Sequence, residues 1–105
     1  MQDVSLRNFL DKVNDTYIQC NPYHNATHGG DVTNSAYYIV QNMEMLEITP
    51  EEIFALLFAA VVHDIGHPGV NNAFLIEIQC PEAILYNDIA VLENMHAGTA
   101  FRMLN

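Results

Sequence analysis

Apolar residues recur along this chain at steps of three and four, and no stretch alternates with period two. That pattern predicts helices throughout and no sheet. Leu6, Phe9, Leu10, Val13, Tyr17 and Ile18 mark a first amphipathic helix, which has to end before Pro22. Asn21-Pro22-Tyr23 is a break. A second helix is predicted from about His24 to about Leu46, with Val32, Ala36, Ile39, Val40 and Met43 on one face. The paired Gly29 and Gly30 cost it about 1 kcal/mol each, which fits close packing beside His28 by a metal site or another helix. Thr49-Pro50-Glu51-Glu52 is the clearest local signal: Thr49 can cap, Pro50 suits the first helical position, and Glu52 completes a capping box. The third helix then runs from Ile53 to about Ile65. It is apolar nearly all round and is expected in the interior. Pro68-Gly69 ends it. Asn71 or Asn72 can cap a short helix from Ala73 to Gln79, and Pro81 opens another turn through about Tyr86. Asp88 can cap a last helix carrying Val91, Leu92, Met95 and Phe101, still running at Asn105. The fold expected is all-α: a compact helical bundle over residues 1–105, one unit without a linker, and the first part of something larger.

Composition narrows the function classes. Half of the 105 residues are hydrophobic, so a core is available. The formal net charge is −10, and only Arg7, Lys12 and Arg102 are positive. Such a surface repels nucleic acid and anionic membranes. A small anionic substrate stays compatible, because divalent ions reverse the local field. The longest apolar run, Ile53 to Val62, is too short to span a bilayer. Cys20 and Cys80 lack any zinc-ligand spacing and read as buried free thiols in a reducing, cytoplasmic compartment. The N-terminus shows no secretory signal.

The chemistry concentrates in two short clusters, which hold four of the five histidines. In the first, His24 and His28 are spaced to share one helix face, about 6 Å apart along the axis. Alone, the pair also reads as ordinary surface or packed histidines. In the second, His63-Asp64 closes the most apolar helix and His67 follows four residues on. Alone, Asp64 also reads as the partner of a histidinium or the cap of the next turn. Together the clusters offer imidazole nitrogens and a carboxylate, the ligands of zinc and similar ions. A carboxylate can bridge two ions, and a two-ion site suits phosphoryl displacement, with a further histidine at the rim as general acid. The residues themselves lead to a metal-dependent phosphohydrolase.

The motifs Tyr23-His24-Asn25-x-x-His28, Asp31-Val32, His63-Asp64-x-x-His67-Pro68-Gly69-x-x-Asn72 and Tyr86-Asn87-Asp88-x-Ala90-Val91-Leu92-Glu93-Asn94 follow one another in this order. In order, spacing and flanks, the stretch from about Tyr17 onward resembles the class I cyclic nucleotide phosphodiesterases of the wider HD metal-phosphohydrolase superfamily. The resemblance implies hydrolysis of the 3′ ester of 3′,5′-cyclic nucleotides to nucleoside 5′-monophosphates. It implies His28, His63 and Asp64 as metal ligands, with Asp64 bridging zinc and a second ion, magnesium or manganese. It makes His24 the general acid. His67 and Glu93 would hold waters or the phosphate, Tyr23 and Asn25 would shape the pocket, and Asn72 would steady the loop after the doublet. A small cyclic nucleotide is the implied partner, and a homodimer of the parent protein stays open. The family's remaining aspartate ligand and its purine-gripping glutamine lie past the matching part, so the 105-residue chain alone is expected to bind metal weakly and to be inactive. Gly66 departs from the acidic residue common there, and Met95-His96 from His-His, which leaves His96 open between a site role and an ordinary helix residue. The competing readings are another HD-superfamily phosphohydrolase and a non-catalytic helical fragment.

Overall fold

The computed structural model describes residues 3–43 and 47–105, and among these it has six helices and no strand. They are α1 (Asp3–Thr16), α2 (Ala26–Gln41), α3 (Pro50–Val62), α4 (Asn72–Glu77), α5 (Pro81–Leu85) and α6 (Val91–Met103). The all-α expectation holds. Leu46, the expected end of α2, lies outside the described residues.

Local rules explain most boundaries. The capping box forms as expected: the Thr49 hydroxyl accepts from the Glu52 amide, and the Glu52 carboxylate accepts from the Thr49 amide at 2.9 Å. Asn71, rather than Asn72, caps α4 by accepting from the Phe74 amide. Asn25 caps α2 by accepting from the His28 amide, so the helix starts after His24 and not at it. The helices α4 and α5 both close with a six-to-one bond. The Cys80 amide reaches the Leu75 carbonyl and the Asp88 amide reaches the Ala83 carbonyl, with Gln79 and Asn87 in the left-handed region.

That closure corrects the expectation for Asp88. Its amide completes the end of α5, its φ is +61°, and α6 begins after Ala90 with no side-chain cap of its own. The missing acceptor comes from a distance: Asn72 Oδ1 accepts from the Leu92 amide at 2.9 Å. At its other end α6 stops at Met103 rather than running on to Asn105.

Two apolar clusters hold the helices. Phe9, Val13 and Tyr17 pack with Val62, Ile65 and Ala100, while Leu75 and Ala83 pack with Val91 and Leu92. Among the described residues only α6 contributes to both, so it is the element that ties the two clusters together. The radius of gyration is 15.3 Å, against about 13 Å for a closed globule of this length. The spread leaves apolar side chains in solvent. Phe54 is 53% and Leu56 43% exposed, so α3 is not interior on all sides, contrary to its pattern. Cys20 is exposed and Cys80 only half-buried, which corrects the reading of both as buried; both are free.

Candidate metal centre

The first histidine cluster stands where the chain enters α2, and the second where it leaves α3. These helices share the most extensive contact in the fold. Tyr17 sits between them: its hydroxyl donates to the Val61 carbonyl at 3.1 Å, and its ring fills the space a Cβ at Gly29 would need, with Oη 2.7 Å away. Burial pushes the Tyr17 phenol above its ordinary value. Gly29 therefore meets the close approach expected of it, whereas Gly30 faces open space.

This packing brings His28 to His63-Asp64. The Nε2 atoms of His28 and His63 lie 3.1 and 3.0 Å from Asp64 Oδ2 and 3.2 Å from each other. A tetrahedral ion with bonds of 2.0–2.1 Å sets its ligands about 3.3 Å apart, so the triangle has the size of one face of such a site. His63 Nδ1–H donates to the Ala60 carbonyl at 2.7 Å, which leaves the Nε2 lone pair of the neutral ring for an ion. The donor set thus fits a divalent metal. His24, Asp64 and His67 form a second group whose ligand atoms lie within 4.8 Å of one another, and among the described residues Asp64 alone belongs to both.

His67 faces this second group with different chemistry. Gly66 and Gly69 flank it at φ +71° and +83°, and the turn delivers the Gly69 amide to His67 Nδ1 at 3.0 Å. Because Nδ1 accepts, the hydrogen of the neutral ring sits on Nε2, which can donate to a water or a phosphate oxygen but cannot ligate. Burial, then the neighbouring His24, holds His67 below the ordinary histidine value, against the pull of Asp64. His24 stacks flat on His67, with ring centroids 3.8 Å apart.

Asn21 and His96, neither of them among the site residues assigned from the sequence, hold these pieces. Asn21 Nδ2 donates both to the His24 carbonyl at 3.0 Å and to the His67 carbonyl at 2.7 Å. Nothing local signals this, because Asn21 reads as part of the break before Pro22. His96 is buried, with Nδ1 2.7 Å from the Ile65 carbonyl and Nε2 3.9 Å from Asp64 Oδ1. Its only sequence signal was its place after Glu93-Asn94-Met95, within a helical run.

The remaining candidates divide. Tyr23 is exposed and lays its ring over His28 at 4.4 Å. Asn25 is occupied as the α2 cap and donates to the Asn21 carbonyl, so it supports the entry to the helix. Glu93 Oε2 accepts from Asn72 Nδ2 at 3.0 Å, which holds its carboxyl below the ordinary range. Asn72 therefore joins α4 to α6 in addition to standing beyond the doublet. His24, His67 and Glu93 line a cleft of about 610 Å³ with Gly69, Asn72 and Phe74, a volume suited to a small ligand.

Comparison with known proteins bears on this arrangement. The sequence model of the family described as 3′5′-cyclic nucleotide phosphodiesterase matches residues 23–105. A 3′,5′-cyclic-AMP phosphodiesterase of Drosophila melanogaster, isoform F, is 43% identical over 99 residues, covering 92% of this chain and 15% of that protein. The human high affinity cAMP-specific and IBMX-insensitive 3′,5′-cyclic phosphodiesterase 8A is 42% identical over 100 residues, or 94% of this chain and 12% of that protein. The crystal structure of the phosphodiesterase domain of the RhoPDE fusion protein from Salpingoeca rosetta superposes with a TM-score of 0.93 at 38% identity, covering 99% of this chain and 32% of that chain. The chain thus spans a small part of the relatives it matches.

Proposed function

Since the chain belongs to the 3′5′-cyclic nucleotide phosphodiesterase family, whose members are metal-dependent, we propose that it supplies the metal-binding and acid-bearing part of an enzyme that opens 3′,5′-cyclic nucleotides to nucleoside 5′-monophosphates. The observation that carries the reading is the triangle of His28 Nε2, His63 Nε2 and Asp64 Oδ2, with edges of 3.0–3.2 Å.

In this reading His28, His63 and Asp64 would hold a zinc ion, and Asp64 would also serve a second ion, magnesium or manganese. Bound there, the pair would supply the Lewis acidity that activates a water and neutralises the phosphoryl oxygens. The chain's own residues do the rest. His24, at the rim of the cleft and steadied by its stack on His67, delivers a proton to the departing 3′ oxygen. His67 Nε2–H donates to the phosphate side of the cleft. Glu93, kept ionised by Asn72, accepts hydrogen bonds from water at the same wall. Tyr23 screens His28 from solvent. The free thiols Cys20 and Cys80 fit a reducing, intracellular setting. Among the described residues no helix is long and apolar enough to cross a membrane.

The test is metal content and hydrolysis of cyclic AMP and cyclic GMP by the full-length protein. Asp64→Ala should lose metal. His24→Ala should keep it and turn over about 10²–10⁴-fold more slowly. Loss of metal in the His24 variant would make that residue a ligand, and absence of hydrolysis in the wild type would sink the reading.

A further inference from the structure

We propose that His96 is a positioning residue of the metal centre, holding the Oδ1 edge of Asp64 for the second divalent cation. The inference rests on the two-ion reading above and assigns a part to a residue that reading does not use.

His96 is a polar side chain only 4% exposed, on the helix that bridges both apolar clusters. Its two nitrogens face different things. Nδ1 lies 2.7 Å from the Ile65 carbonyl oxygen, which can only accept, so Nδ1 carries a hydrogen. The neutral ring then presents a lone pair at Nε2. That lone pair looks across 3.9 Å at Asp64 Oδ1, a distance too long for a hydrogen bond.

The two oxygens of Asp64 are therefore in unlike surroundings. Oδ2 is met by the Nε2 atoms of His28 and His63. Oδ1 receives no hydrogen bond among the described residues, and His96 Nε2, an acceptor in this tautomer, stands 3.9 Å from it. The His96 side chain is 5% and that of Asp64 17% exposed, and two partly shielded acceptors turned toward each other are unfavourable unless something electropositive stands between them. Magnesium and manganese sites suit this gap, since such ions take one or two carboxylates and keep several waters that need acceptors beyond the ion. Cation at Oδ1 and a water donating to Nε2 would satisfy both groups at once. The Ile65 bond fixes the ring for that task, because Ile65 directly follows Asp64 in the chain and is fully buried.

The alternative is that His96 only joins α6 to the end of α3 through the Ile65 carbonyl. The Asn variant separates the two roles. Its amide nitrogen takes the place of Nδ1 and keeps the Ile65 bond, while the Nε2 side is deleted. Mn²⁺ titration of the zinc-loaded full-length protein, followed by electron paramagnetic resonance, gives the readout. We expect His96→Asn to keep its zinc and a thermal midpoint close to wild type without manganese, and to bind Mn²⁺ at least about tenfold more weakly. Equal Mn²⁺ affinity in wild type and His96→Asn would overturn the proposal. Should His96→Asn fail to fold, His96→Gln against His96→Ala decides: the Gln oxygen can stand where Nε2 stood, so tighter Mn²⁺ binding by Gln supports the role and equal binding overturns it. A wild type that takes up one ion per chain would instead refute the two-ion reading itself.

Discussion

At the scale of single residues, the catalytic candidates are simple to name and their supports are not. His28, His63 and Asp64 stood out because four of the five histidines fall in two short clusters and an Asp at the end of an apolar helix needs a partner. Asn21 stood out by nothing local and His96 only by its place after Glu93-Asn94-Met95, since each acts on a carbonyl far away in sequence. Gly69 shows how tightly the supports are fitted. Its φ is +83°, and a Cβ there would stand 2.8 Å from Asn21 Oδ1. Gly69→Ala should therefore cost at least about 1–2 kcal/mol from the left-handed backbone alone. It should also disturb the His24–His67 stack by pushing on Asn21. Denaturant midpoints of the full-length protein measure the first effect, and histidine ring NMR shifts the second; unchanged midpoints would contradict the argument.

At the scale of elements, helix starts were legible where the cap is close in sequence. Thr49 and Glu52 cap each other, and Glu52 is held below its ordinary value chiefly by the Thr49 backbone amide. A depressed carboxylate stabilises the fold above its unfolded value of 4.5 and ceases to do so as pH falls through the folded one. Thr49→Ala should lose about 1 kcal/mol at neutral pH. Glu52→Gln should flatten the part of the acid unfolding curve that lies below pH 4.5. The start of α6 was not legible, because Asp88 is consumed in closing α5 and the acceptor is Asn72, from the start of α4. Asn72→Ala should cost about 1 kcal/mol and raise the Glu93 pKa, whereas Asn72→Asp keeps an acceptor for Leu92 but repels Glu93. Thermal melts and carboxyl NMR titration distinguish the two. If the Ala variant leaves Glu93 unmoved, the hydrogen bond is not what depresses it.

At the scale of the molecule, period and composition were enough for an all-α fold. They were not enough for burial: α3 is apolar on every side, yet Phe54 and Leu56 face solvent in this chain. Periodicity reports which surfaces are apolar, and only the neighbours present decide which are covered. The ends of α2 and α3 that carry the candidate ligands meet through Tyr17 and the converging atoms of His28, His63 and Asp64. An ion binding across them joins elements that are far apart in sequence, so its removal acts on stability as well as activity. Chelation should lower the melting temperature of the full-length wild type and leave that of Asp64→Ala unchanged; equal responses would argue against an ion at this junction. One amide, that of Asn21, grips the backbone at both His24 and His67. The proposed proton source, His24, and the proposed donor beside it, His67, are consequently mounted on a common bracket. Shifting His24 alone to retune the proposed acid would drag its neighbour along, and engineering efforts would do better to begin at position 21.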